Sequence, residues 1–134
     1  MEGELWKFRT ELWSWLGEPR PDNVRFASVA AAFIDAAGKE APPRRARARQ
    51  VIDLAIEFHR GLLRALGHGA PAEDDELRAA ISAAVPSWRG DEETVAAALD
   101  RSLDALEHIE RNANQAAWLE CWLNDLGHIA PRSL

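Results

Sequence analysis

The sequence has no tyrosine, one methionine and one cysteine among its 134 residues, and few β-branched side chains. Cys121 has no partner for an intrachain disulfide, and no Cys-x-x-Cys pair exists, so a reducing compartment and a cytoplasmic location are expected. No apolar run approaches the roughly 20 residues of a membrane-spanning helix, and the N-terminus lacks the apolar centre of a signal peptide. Basic charge is also in deficit. Sixteen Lys and Arg against 22 Asp and Glu leave a formal charge of −6. That balance argues against a general nucleic-acid-binding surface and against direct nucleic-acid contact, while leaving room for a local basic patch. The scarcity of β-branched residues, set against plentiful alanine, leucine, arginine and glutamate, weighs against sheet and predicts an all-α fold.

What is present is enough to fold. The hydrophobic fraction is 47%, with six tryptophans and four phenylalanines, and the length suits one domain, residues 1–134, with its own core. No repeat, low-complexity tract or linker divides it. The spacing of apolar residues predicts a single compact bundle of about six helices.

The first helix is predicted from about Glu2 to Leu16, ending at Gly17. One face can bury Leu5, Phe8, Leu12 and Leu16, which leaves Trp6 and Trp13 for another surface. The second is expected from Asp22 or Asn23 to Gly38, after a turn containing Pro19 and Pro21. The third, about Pro43 to Leu66, is apolar around much of its circumference and is the expected centre of the bundle. The segment Gly67-His68-Gly69-Ala70-Pro71 reads as a flexible loop. A fourth helix is expected from about Glu73 to Val85, stopped by Pro86, and a fifth from near Asp91 to about Asn112.

The last helix follows at once. Asn114 suits its N-cap, Gly127 suits the residue just past its end, and Trp118, Leu119, Trp122, Leu123 and Leu126 form one stripe. The phrase Ile109-Glu110-Arg111-Asn112-Ala113-Asn114-Gln115, followed by Leu119 to Leu126, resembles the end of the C-terminal helical collar domain of bacterial DNA polymerase III clamp-loader subunits. The likeness is greatest to the delta-prime subunits. Ala37-Gly38-Lys39-Glu40, with Arg44, Arg45, Arg47 and Arg49 leading into a long apolar helix, is similar to the same family. The resemblance covers roughly residues 24 to 127. It implies an oligomerisation domain that joins delta and gamma/tau subunits through their C-terminal domains during DNA replication. An isolated domain of this kind could self-associate. The segment begins at Met1, which leaves open an excised domain or a stand-alone protein.

Catalytic chemistry is not evident. Gly38-Lys39 lacks the upstream glycine and the Ser or Thr of a phosphate-binding loop, and it follows a helix. The family's ATPase motifs, arginine finger and zinc-binding cysteines fall outside the stretch of resemblance. His59, His68, His108 and His128 show no metal-ligand spacing. Cys121, beside Glu120 and next to bulky apolar residues, reads as an inert packed thiol. The carboxylate pairs fall on helix faces or first turns, and none stands out as an acid/base couple. No enzyme activity, cofactor or metal is therefore expected.

Two groups of residues are candidates for an interface. Arg44, Arg45, Arg47 and Arg49 crowd a helix N-terminus, where they oppose the helix dipole. They read first as a solvated face balanced by carboxylates elsewhere, and otherwise as a docking surface for an acidic partner or, less favoured by the net charge, for nucleic-acid phosphate. Trp6, Trp13 and Trp118 are candidates because tryptophan is enriched at interface centres, with packing against the third helix as the equal alternative, whereas Trp15 and Trp122 read as core. Asn112 and Asn114 are expected to set the corner between the last two helices. An independent bundle that binds a peptide, nucleic acid or small ligand in a groove is the alternative.

Overall fold

Six helices and no strand make up the residues described by the computed structural model, 2–18, 22–111 and 114–129. They are α1 (Glu2–Gly17), α2 (Asn23–Asp35), α3 (Ala41–Leu66), α4 (Asp75–Trp88), α5 (Glu92–Glu110) and α6 (Gln115–Ile129). The all-α bundle expected from composition and spacing is the observed fold.

α3 is the central element, packed against α1, α2, α4 and α5, while α6 closes the far side on α2 and α5. Val51, Ile52, Ala55, Ile56, Phe58 and Leu62 of α3 are all buried, which is why its sequence is apolar on more than one face. Aromatic contacts fix the first two helices. Phe8 stacks on Phe33 at 4.4 Å and Trp15 on Phe26 at 5.0 Å between ring centroids. The buried side chains form one continuous cluster that includes Trp13, Trp88 and Trp122.

Several helix ends differ from expectation, each for a local reason. α2 stops at Asp35, and Gly38 reverses the chain with φ 102°. α3 begins two residues early at Ala41, with Pro42 and Pro43 in its first turn, where no intrahelical partner exists for the missing N–H groups. α4 starts at Asp75, because the Asp74 carboxylate caps it by accepting the Leu77 N–H at 2.9 Å. It also runs through Pro86, which was expected to stop it, as far as Trp88. The proline removes only a bond to the carbonyl of exposed Ser82, and burial of Trp88 holds the last turn in place.

α5 ends at Glu110 and not at Asn112. Asn112 and Ala113 lie outside the described residues, so the expected corner role can be followed only at Asn114. There the predicted cap exists: the Asn114 side chain accepts the Ala117 N–H at 3.1 Å. α6 passes straight through Gly127 to Ile129. This glycine does not terminate the helix. A Cβ there would collide with the Asn23 side chain, so its task is to let α2 and α6 approach closely. In the loop after α3 the left-handed residue is His68 (φ 61°), between two glycines. Among the described residues no helix is long and apolar enough to cross a membrane.

Candidate functional site

The ionisable side chains are spread over the bundle as interhelical ties. Arg9 pairs with Asp74 at 3.0 Å and with Glu76 at 3.1 Å, joining α1 to the start of α4. Arg101 pairs with Asp125 between α5 and α6. The Asp74 carboxyl sits below the usual carboxylate range, first because it accepts the Leu77 N–H and then because of Arg9. Among the described residues no group of three or more His, Cys, Asp or Glu could hold a metal ion.

The histidines are dispersed as well. His59 is buried against Phe58 and Trp88, and burial pushes its imidazole down to about 4. The Ala55 carbonyl one turn back favours the charged ring only weakly, and His59 Nδ1 makes no hydrogen bond of good geometry. His108 and His128 each turn Nδ1 to the carbonyl one turn earlier, at 3.0 and 2.8 Å.

Cys121 corrects an expectation. It is exposed, and not packed, because it lies one position off the apolar stripe of α6. Arg101 Nη2 donates to its sulfur at 3.5 Å, and the thiol faces Asp125 at 3.8 Å.

The arginine run folds back onto its own chain. Arg44 donates to the Gly38 carbonyl at 3.0 Å, to Asp35 at 2.6 Å and to Gln115 at 2.8 Å, linking α2, α3 and α6. Arg47 donates to Glu4 at 2.9 Å and to the Phe33 carbonyl at 2.8 Å, with its guanidinium 4.8 Å above the Phe33 ring. Arg49 meets Glu110 at 2.6 Å, and that hydrogen bond, followed by the charge of Arg49, holds the Glu110 carboxyl below its ordinary range. Arg45 is half-buried in the same turn. The crowding that opposes the helix dipole is thus offset by carboxylates and carbonyls from other helices.

Of the three tryptophans expected at an interface, only Trp6 is exposed, at 52%. Trp13 and Trp118 belong to the core, with 1% and 6% exposed. For Trp13 the reason is that α3 and α4 cover the second face of α1, and its Nε1 donates to the Leu54 carbonyl at 3.0 Å. Trp118 faces inward beside Trp122 on the α6 stripe. Trp15 and Trp122 are buried as expected. Arg9 was missed by sequence reasoning. Its guanidinium lies 3.7 Å from the Trp6 ring centroid and 4.5 Å from that of Trp13. The signal was available, since Arg9 follows Trp6 by three residues and precedes Trp13 by four, on one helix face.

Among the surface depressions of the described residues, two lie as open valleys between pairs of helices. The larger, about 990 Å³, runs between antiparallel α2 and α6, past Val24, Ala27 and Ala31 on one side and Ala117, Cys121 and Asn124 on the other. Val24 is 82% exposed there. The second, about 590 Å³, lies between α1 and α4 over Trp13, Gly17 and the alanines 79, 80, 83 and 84. Small side chains on both helices of each pair create these valleys, because nothing fills the angle between the cylinders. Compared with protein-family models, with curated proteins and with solved structures, the chain finds no match.

Proposed function

We propose that this chain is an assembly domain of the clamp-loader collar type, acting by helix-to-helix docking and performing no chemistry itself. The observation that carries this reading is the open valley between α2 and α6, edged by the exposed Val24, Ala117 and Cys121. A neighbouring helix can lay a ridge in such an open valley, and the polar side chains that also line it, among them Asp35, Arg44, Gln115 and Asn124, can meet polar groups flanking that ridge. The wording of residues 109–126 and 37–49 adds the family, and with it the partners: the C-terminal domains of delta and gamma/tau subunits in bacterial DNA replication, in the cytoplasm. The arginines 44, 47 and 49 support this by tying α3 to α1, α2, α5 and α6, which gives the docking faces a rigid frame.

The test is co-purification of the chain with delta and gamma/tau, each as its isolated C-terminal domain, followed by sizing with light scattering. A mixed complex of defined stoichiometry is expected, and Val24→Glu or Ala117→Arg should abolish it without lowering the melting midpoint. Both positions are exposed, so neither change reaches the core. Failure of every well-folded partner to bind would leave the collar reading without support.

A further inference from the structure

The α1–α4 valley has a shape and charge of its own, independent of the collar reading. Gly17 brings the two helices together at its base, where an added Cβ would lie 3.3 Å from Ala84 Cβ. The floor is the Trp13 ring with the exposed or half-exposed alanines 79, 80 and 83. Only two charged side chains line it, Glu76 and Glu18, and both are acidic. They stand towards opposite ends. Glu76 lies beside Thr10, accepting its hydroxyl at 3.3 Å, and Glu18 follows Gly17 at the level of Ala84. Along α1 this separation is eight residues, about 12 Å at the helical rise. Next to the Glu76 end, Trp6 is 52% exposed and donates its indole N–H to Glu76 at 3.0 Å.

The geometry points to this valley as the docking groove for one amphipathic helix of a partner protein, with an aliphatic ridge flanked by two basic residues about eight to eleven positions apart. The groove's small side chains let a third helix approach with larger aliphatic residues, as ridges pack into grooves. Glu18 makes no ion pair within the described residues, and Glu76 already accepts from Arg9, Thr10 and Trp6. Arg9 is shared between Asp74 and Glu76, so the Glu76 end keeps one net negative charge and the Glu18 end another. A Lys or Arg at each end of the partner helix complements them. Trp6 supplies an aromatic edge of the kind that anchors interfaces. The spacing follows from the rise per residue: a helix lying along the valley needs eight residues to cover the α1 side and eleven to run from Glu76 to Ser87. Leucines three or four and seven positions after the first basic residue then face the alanines.

The experiment uses the whole chain and a fluorescently labelled synthetic helical peptide of about 20 residues, carrying a leucine ridge and one lysine at each end of it. Binding is followed by anisotropy, with a second peptide in which both lysines are glutamates. Saturable binding is expected for the lysine peptide, weakened by salt, and at least about tenfold weaker for the glutamate peptide. Ala83→Arg, which fills the groove from an exposed position, should weaken binding about tenfold or more with an unchanged melting midpoint. Glu18→Lys should weaken it roughly two- to fivefold, as expected for a partly exposed pair. Val24→Glu, on the other valley, should leave it unchanged. No saturable binding, equal binding of both peptides, or binding that Val24→Glu removes and Ala83→Arg does not would each overturn the assignment. None of those outcomes bears on the complex with clamp-loader subunits, so the two readings fail separately.

Discussion

The indole Nε1 of Trp122 donates to the Ser102 hydroxyl at 3.1 Å, and both side chains are fully buried. This is a fully buried polar joint in the seam between α5 and α6, which the half-buried Arg101–Asp125 pair also spans. A buried indole N–H without a partner is costly, and the serine at this point of α5 supplies the acceptor. Ser102→Ala should therefore destabilise the protein by roughly 1–3 kcal/mol, although it removes a single oxygen. Urea unfolding of the two proteins measures this directly. A loss well under 1 kcal/mol would mean that the indole finds another acceptor after slight movement.

Trp6 and Trp13 were indistinguishable by spacing and differ completely in burial. Trp6→Ser removes an exposed ring that stacks on Arg9, and should cost no more than about 1 kcal/mol. Trp13→Ser opens the core beneath α1 and α4 and should cost roughly 3–5 kcal/mol, enough to unfold a domain of ordinary stability. Circular dichroism with a thermal scan separates the two, and similar melting midpoints would reject this division.

Asn114 is the cap of α6, and its loss exposes the first turn of that helix. Asn114→Ala should lower stability by roughly 1 kcal/mol, with faster amide exchange at Ala117 as the local signature. Asn114→Asp should preserve both. An unchanged exchange rate at Ala117 in the alanine variant would refute the cap.

His59 gives the fold an acid limb. Its buried imidazole titrates near 4, below the ordinary 6.5, so the unfolded chain binds this proton more readily than the folded one. Stability is then complete above about pH 6.5 and declines as pH falls towards 4, by roughly 3 kcal/mol over that window. The depressed carboxyls of Asp74 and Glu110 act lower down. Their contribution is present above the unfolded carboxylate range and is lost as pH falls through their folded values. Unfolding midpoints measured from pH 7 to pH 4 should slope downward in the wild type. His59→Leu should flatten that slope and keep the loss near and below pH 4. Parallel curves for the two proteins would show that His59 is not the origin.

The sequence by itself determined the number and order of the helices, because a 3.6-residue apolar period, caps such as Asn114 and breaks such as Gly17 are local properties of the chain. It also determined that α3 is central, since a helix apolar around most of its circumference must be covered on several sides. Neither the ends of α4 and α6 nor the exposure of particular tryptophans followed from it. Pro86 and Gly127 are breakers only when nothing holds the next turn, and here burial of Trp88 and close contact with Asn23 do so. Tertiary structure also turned the arginine run inward, because its partners, Glu4, Asp35, Glu110 and Gln115, come from four other segments. The same holds for both valleys. A small residue on one helix says little until a second helix with small residues lies beside it, and that pairing is a property of the fold, not of the local sequence.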